Sequence, residues 1–584
     1  MTHDGLHNVA LASGAPTAYR PTIAGSRHVA VAGHYLAAHA AFAILEAGGN
    51  AIDAGVAGGI ALGVLQSDLV NVAGVAPTLV KPAGEDKVYS VAGLGGWPKA
   101  LDPTFFQRAH GGRIPTGLLR TVVPAAPAAW IAALARWGTM SFADVAGAAI
   151  RFAGEGFAMY PLMAELIRVN HDGYAAWPSN AAIYLPGGRV PKVGERFVQR
   201  DLAGTLQYMA DEEKRAAGKG RAAGLKAARD AFYAGDIART IVAFHEQNGG
   251  LLSAADMAEF DAEIEPAVRT RFRGIDVYAC PPWCQGPALP MMLNLVSGLD
   301  LQALGHNSPA YVHALAEAMK LVFADREAWF GDPRFVDVPL DRRLAPAYAD
   351  QRRRLIRADR AWPGMPPSGR DGAPAPAPAG LEPALPLDTS YVCVIDRHGN
   401  VFSATPSDIS SDTPVIPGTG LCPSSRGSQG WADPSHPSGV APGKRPRLTP
   451  NPALAIGREG PHAGMLMPFG TPGGDVQLQA MLQTFLNITV FGMDPQAAIE
   501  APRFATYSFP DSFEPHLYQP GWLNIEGRFP EATGERLSAL GHDVHWWPEF
   551  IWRAGAMCVI KSDPESGLLF GGADPRRPCY ALGW

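Results

Sequence analysis

Hydrophobic positions follow a helical rhythm over much of the chain before residue 360 and an alternating one after residue 389. Residues 28–32 read as a short strand and 34–46 as an Ala-rich helix. Gly48-Gly49 stops that helix, and a second starts at Asn50-Ala51-Ile52-Asp53, with Asn50 or Asp53 as its cap. Small residues cover several of its faces through Ala57, Ile60, Ala61 and Val64, which predicts packing on all sides. Residues 70–80 read as a buried strand with a Gly bend, and 86–91 as its hairpin partner. Helices are predicted over 128–137 (with Pro127 at its first position), 141–154, 236–247, 253–260, 289–299 and 309–329. The charged stretch 211–230 reads as a solvated helix with a loop, and the arginine-rich 341–360 as a solvated amphipathic helix.

Residues 362–386 are dense in Pro, Ala and Gly and read as an extended or mobile tether. Beyond it, 389–396 and 400–405 form a hairpin around His398-Gly399. A loop as long as 407–446, rich in Ser, Gly and Pro, is functional more often than idle inside a compact domain. Strands at 449–456 and 465–467 lead to the tight turn Gly470-Thr471-Pro472-Gly473-Gly474-Asp475, then helices at 476–490 and 494–500.

At 584 residues the chain needs a core of at least two lobes. A formal net charge of −6 with 18% charged residues argues against a nucleic-acid or anionic-membrane partner. The six cysteines have no zinc-type spacing and read as buried thiols in a reducing compartment. Residues 1–7 lack a basic segment followed by an apolar one, so a soluble, cytoplasmic protein is expected. Gly48-Gly49 lacks a strand–GxGxxG–helix context, and no metal constellation is visible, so neither metal nor cofactor is expected.

Thr389 stands where the Pro/Ala-rich run meets the alternating strand. Cutting the Asp388–Thr389 bond would make it an amino terminus. A threonine hydroxyl alone needs a neighbouring base. A free α-amine, titrating at about 7.7–8.0, is close to the ideal general base at neutral pH. Cleavage therefore creates the base. The Thr389 Oγ attacks the Asp388 carbonyl, the ester is hydrolysed, and the same Oγ then takes an acyl group from a substrate amide. Gly473 and Gly474 read either as a simple turn before a helix or as a place where backbone N–H groups approach a developing oxyanion, one such donor giving roughly 10²–10³ in rate. Thr405 and Ser407, on the strand after the hairpin, are candidates to support the new amine or the nucleophile.

These residues belong to a longer ordered series. It includes Gly48-Gly49-Asn50-Ala51-Ile52-Asp53-Ala54, Phe232-Tyr233-Ala234-Gly235, Asn248-Gly249-Gly250-Leu251 and Ala324-Asp325-Arg326 with Gly331-Asp332-Pro333. Gly443-Lys444-Arg445-Pro446, Pro472-Gly473-Gly474 and Asp574-Pro575-Arg576-Arg577 complete it. In this series the chain resembles the γ-glutamyltranspeptidase family of N-terminal-nucleophile hydrolases. The resemblance implies an α+β fold, a four-layer αββα sandwich. It also implies a precursor cut into a large chain, 1–388, and a small chain, 389–584, that stay associated; a homodimer is left open. Thr389, seven residues before the hairpin Asp396, falls on the family's nucleophile position. The family usually has threonine eighteen residues later, where Ser407 stands.

The family's clamp for a glutamyl donor is missing. Its arginine segment corresponds to 91–100, which contains no arginine, and its Asn-Asn-x-Met-Asp-Asp segment to Ser424-Ser425-Arg426-Gly427-Ser428-Gln429. Leu448-Thr449 replaces its serine pair. Arg426, Ser428 and Thr449 are the substrate-binding candidates that remain; Arg426 reads equally as a surface arginine. Loops carrying Trp97, Trp283 and Trp431 suit a less charged acyl group. The reading is a self-processing N-terminal-threonine amidohydrolase acting on a small amide. The alternatives are a true γ-glutamyl hydrolase or transpeptidase acting on glutathione-type donors, and an unprocessed binding relative without catalysis.

Overall fold

A computed structural model describes residues 18–370 and 389–584. Asp388, the rest of the tether beyond 370 and residues 1–17 lie outside the described residues. Two seven-stranded sheets stack face to face. The first runs Tyr580–Gly583, Val29–Ala32, Val392–Ile395, Val401–Ala404, Thr78–Lys81, Tyr89–Val91, Ile264–Pro266. The second runs Ile23–Gly25, Leu569–Ala573, Cys558–Ser562, Leu466–Gly470, Ala453–Gly457, Ile275–Ala279, Val268–Phe272.

Strand alternation sorts the side chains into layers. Tyr391, Cys393 and Val401 of the first sheet meet Tyr278, Leu454 and Cys558 of the second in one apolar cluster. Their neighbours Val392, Val394, Phe402 and Ala404 face outward, onto the helices Tyr35–Glu46 and Ala51–Leu65. The helices Ala288–Val296, Pro309–Trp329 and Val476–Thr489 cover the second sheet. The α+β, four-layer αββα sandwich is therefore present.

The helix Ala51–Leu65 is buried along its whole length. Its small residues let the sheet approach: a Cβ on Gly55 would come within 2.0 Å of the Phe402 ring. Both cap candidates serve. Asn50 accepts from Ile52 and Asp53 N–H, and Asp53 accepts from Asn50 N–H, a reciprocal box. Asp53 also takes Thr139 N–H at 2.9 Å, the Thr139 hydroxyl at 2.7 Å and Met140 N–H at 3.1 Å. From the hairpin turn, Asp396 accepts Ala51 N–H at 2.9 Å as well as His398 and Asn400 N–H. The Gly-Gly-Asn-Ala-Ile-Asp-Ala motif is thus a joint between this helix and the hairpin that follows Thr389.

Other distant motifs also meet in pairs. Asp332 accepts Arg445 N–H at 3.0 Å and its guanidinium at 2.9 Å. The buried Arg326 guanidinium pairs with Asp475 at the start of the helix Val476–Thr489.

Four local expectations differ. Residues 70–77 are buried loop, and strand begins at Thr78, because Val75 exchanges backbone hydrogen bonds with Ser407 and Ala76 N–H goes to Gly93 O. Residues 341–360 split into helices Leu340–Leu344 and Pro346–Arg353, since the Pro346 ring disfavours helical backbone at Ala345, which stays extended. Arg343 and Arg352 of this stretch are buried, not solvated. Residues 362–370 are tied down: Trp362 N–H donates to Glu317 at 3.0 Å, its carbonyl accepts from Lys320 at 2.9 Å, and Met365 N–H reaches the Tyr518 hydroxyl. All six cysteines are free and buried. Among the described residues no helix is long and apolar enough to cross a membrane.

Asp53→Ala should lower unfolding stability by about 1–3 kcal/mol, because it leaves the part-buried N–H groups of Asn50, Thr139 and Met140 without their acceptor. Urea denaturation would measure this; a loss below about 1 kcal/mol would refute the joint.

Candidate active site

The site forms where the loop after the helix Ala51–Leu65, the hairpin strands and the loop 407–446 converge. Thr389 is fully buried at the entry to the strand Val392–Ile395. Its Oγ1 lies 2.5 Å from Ser407 Oγ, and its N–H donates to Leu69 O at 3.0 Å. Thr389 has φ +77°, a left-handed conformation that is strained for a β-branched residue. Asp408, at φ +134°, donates its N–H to the same Leu69 carbonyl at 3.1 Å. Gly74 makes this crowding feasible: a Cβ there would come within 2.3 Å of Ser407 O.

Ser407, expected to support the amine or the nucleophile, meets Thr389 through the two hydroxyls. The buried Thr405 hydroxyl finds no hydrogen-bond partner among the described residues. The Arg426 guanidinium is buried and donates to Ser407 Oγ. Its Nε lies 3.8 Å from Asp408, and its plane sits over the Phe513 ring at 5.6 Å. Asp408 is fixed in turn by Ser424 Oγ, Ser425 N–H at 2.9 Å and Ser425 Oγ at 2.7 Å. Burial pushes the Asp408 carboxyl up, against the pull of Arg426 and the two serines.

Gly473 and Gly474 sit at φ +123° and +55° just before the helix Val476–Thr489. Among the described residues neither N–H makes a hydrogen bond, which leaves two donors at a helix start. The turn is tied to the strand Val392–Ile395 through the preceding Tyr391, whose ring crosses Gly470 so closely that a Cβ there would lie 2.3 Å away. Gln285, which sequence reasoning missed, braces it from behind. Its amide donates to Gly474 O at 3.2 Å and Thr449 O at 2.8 Å, and its carbonyl accepts from Arg326 at 2.9 Å. Thr449 pairs with Gln429 at 2.7 Å, and Ser428 O accepts Glu514 N–H at 2.7 Å. Both candidates are buried in the wall around Arg426. Trp97 packs across Gly427 and Gly430 of the same wall.

One close grouping of possible metal ligands lies elsewhere: His313, Glu317 and His542, whose ligand atoms fall within 4.8 Å of one another. The sequence gives no hint of it, because residue 542 arrives from a distant part of the chain. Lys320 pairs with Glu317 at 2.8 Å, and His313 Nδ1 meets His542 Nε2 at 2.9 Å. With the carboxylate neutralised and the imidazoles bonded to each other, the cluster fits a latch for the Trp362 peptide better than a cation.

Sequence comparison agrees with this architecture. A family model described as gamma-glutamyltranspeptidase matches residues 37–584. The "Acylase ACY 1 proenzyme" of Pseudomonas sp. (strain SE83) is 33% identical over 95% of this chain and 93% of its own length. A "Glutathione hydrolase-like YwrD proenzyme" of Bacillus subtilis (strain 168) is 32% identical over 96% of this chain and 99% of its own. The crystal structure of cephalosporin acylase from Bacillus halodurans superposes with a TM-score of 0.83 at 28% identity, covering 98% of each chain.

Beside Leu69, Asp68 is buried with neither carboxylate oxygen hydrogen-bonded among the described residues. Burial raises it from the ordinary 3.8 to about 7, with Arg577 pulling the other way. The folded state then holds more protons than the unfolded one between those values, so stability falls as pH rises through this window. The loss is about 4 kcal/mol in full. Asp68→Asn should flatten that slope and stabilise the protein at pH 8 relative to the parent; urea unfolding at pH 5 and pH 8 reads the difference.

Proposed function

The chain belongs to the γ-glutamyltranspeptidase family, and from that premise we propose that it is a precursor that cuts itself before Thr389 and then works as an N-terminal-threonine amidohydrolase. It is an amide-bond hydrolase or acyltransferase of that family. One observation carries the assignment of the nucleophile. Thr389 is held by its nitrogen on Leu69, by its hydroxyl on Ser407, and in a strained backbone conformation. Such restraint at a reacting residue orients the attacking oxygen and raises the energy of the ground state.

In self-cleavage Oγ1 bonds to the Asp388 carbonyl carbon, the C–N bond to Thr389 breaks, and the nitrogen leaves as a free amine. Water then hydrolyses the ester, which frees the Asp388 carboxylate and returns the Thr389 hydroxyl. In turnover the α-amine takes the Oγ1 proton as Oγ1 attacks the substrate amide, and delivers it to the leaving nitrogen. The Gly473 and Gly474 N–H groups receive the oxyanion. Water or an amine then removes the acyl group. The products of cleavage, 1–388 and 389–584, stay together because each contributes strands to both sheets, hydrogen-bonded to strands of the other.

The acyl group need not be glutamyl. The segment that corresponds to the family's clamp for the donor amine is turned inward here: Ser424 and Ser425 hold Asp408, and Arg426 holds Ser407. Losing a bidentate arginine and an aspartate weakens a γ-glutamyl donor by more than about a hundredfold, at roughly 1.5–3 kcal/mol per charged hydrogen bond. The names of two similar proteins, an acylase and a cephalosporin acylase, support an acyl donor of another kind.

Purified protein on a denaturing gel should give two bands, at roughly 41 and 21 kDa, in place of one at 61.8 kDa. Thr389→Ala should give the single band and no turnover. A single band from the parent chain would favour a binding protein without catalysis. Non-glutamyl acyl p-nitroanilides should turn over faster than γ-glutamyl-p-nitroanilide; rapid glutathione hydrolysis would reverse the substrate assignment.

A further inference from the structure

Arg426 has no counterpart in the nucleophile machinery the sequence suggests, where it stands as a substrate contact. The structure puts it behind the nucleophile. Its guanidinium donates to Ser407 Oγ, and Ser407 Oγ lies 2.5 Å from Thr389 Oγ1. The charge is buried to within 1% exposure, so its field acts with little screening by water. The side chain is also oriented from two further sides: Asp408 lies 3.8 Å from Nε, and the Phe513 ring lies beneath the guanidinium plane. Asp408 cannot swing away, because three serine donors and its own N–H, on Leu69, fix it.

The donor chemistry gives this row of groups a direction. A guanidinium can only donate, so a lone pair of Ser407 Oγ is occupied from the Arg426 side. The Ser407 hydroxyl, 2.5 Å from Thr389 Oγ1, can then point its proton at that oxygen as it gains negative charge. As Thr389 Oγ1 gives up its proton and its bond to the carbonyl carbon forms, Ser407 O–H can donate to it, with the guanidinium strengthening that donor. We propose that Arg426 is a positioning residue for the nucleophile, acting through Ser407 to orient Thr389 Oγ1 and to stabilise the charge it develops in both self-cleavage and turnover. The inference rests on the function proposed above and gives Arg426 a role other than binding a substrate carboxylate.

Self-cleavage separates the two roles, because it uses no substrate. Arg426→Gln should slow self-cleavage and kcat by roughly tenfold or more, with KM moving less than about threefold. Arg426→Lys should recover part of the loss, and guanidinium ions added to Arg426→Ala should recover more. In a Ser407→Ala background, Arg426→Gln should have little further effect, since the path it acts through is gone. Thermal unfolding of each variant checks folding, and the lysine variant keeps the test valid if the glutamine one is unstable. Self-cleavage at the parent rate in Arg426→Gln, with a KM rise confined to acidic acyl groups, would overturn the inference. So would full additivity with Ser407→Ala. Failure of the parent chain itself to cleave would instead remove the proposed function.

Discussion

One carbonyl oxygen, that of Leu69, organises the reactive centre. It accepts the N–H of Thr389 and the N–H of Asp408, the two residues of the site held at positive φ without being glycine. Strain of this kind persists only where the surroundings over-determine it. The surroundings here are a fully buried helix that ends at Leu65, a turn carrying Asp68 and Leu69, and the backbone bridge from Ser407 to Val75. Each of them is fixed by packing on the first sheet, so the geometry at Thr389 depends on the sheet and on the helix joint at Asn50 and Asp53.

The motifs scattered along the chain act as pairs. Asp396 of the hairpin reaches the start of the helix Ala51–Leu65, Asp332 holds Arg445, and Asp475 holds Arg326. Each pair joins a residue before Thr389 to one after it. Buried ion pairs contribute little net stability but are costly to break one partner at a time. Their value here is geometric: they set the register of segments that would become separate chains on cleavage. Gln285 adds a neutral brace of the same kind, from the large-chain side to the Gly473-Gly474 turn.

The loop 407–446 gives the site its individual character. It is long and rich in Ser and Gly, yet much of it is buried, and its short turn Arg426–Gln429 points its polar groups into the protein. The arginine there supports the nucleophile through Ser407, and Thr449 and Gln429 close the wall by pairing with each other. The aromatic rings of Trp97 and Phe513 pack against the same wall.

Helices with a clear 3.6-residue rhythm were legible from sequence, and Pro309–Trp329 and Asp236–Gln247 fall within their expected limits. So was the hairpin after Thr389, because alternation and a Gly turn are local signals. The sequence by itself determined the family and the sandwich. Residues 70–77 and the split at Pro346 were not legible, since burial and long-range backbone pairing override local propensity there. The tertiary structure alone decided that Leu69 holds the Thr389 nitrogen, that Gln285 braces the turn and that Arg426 lies behind Ser407. Those contacts join residues far apart along the chain, and one sequence carries no record of which distant polar groups become neighbours once the two sheets close.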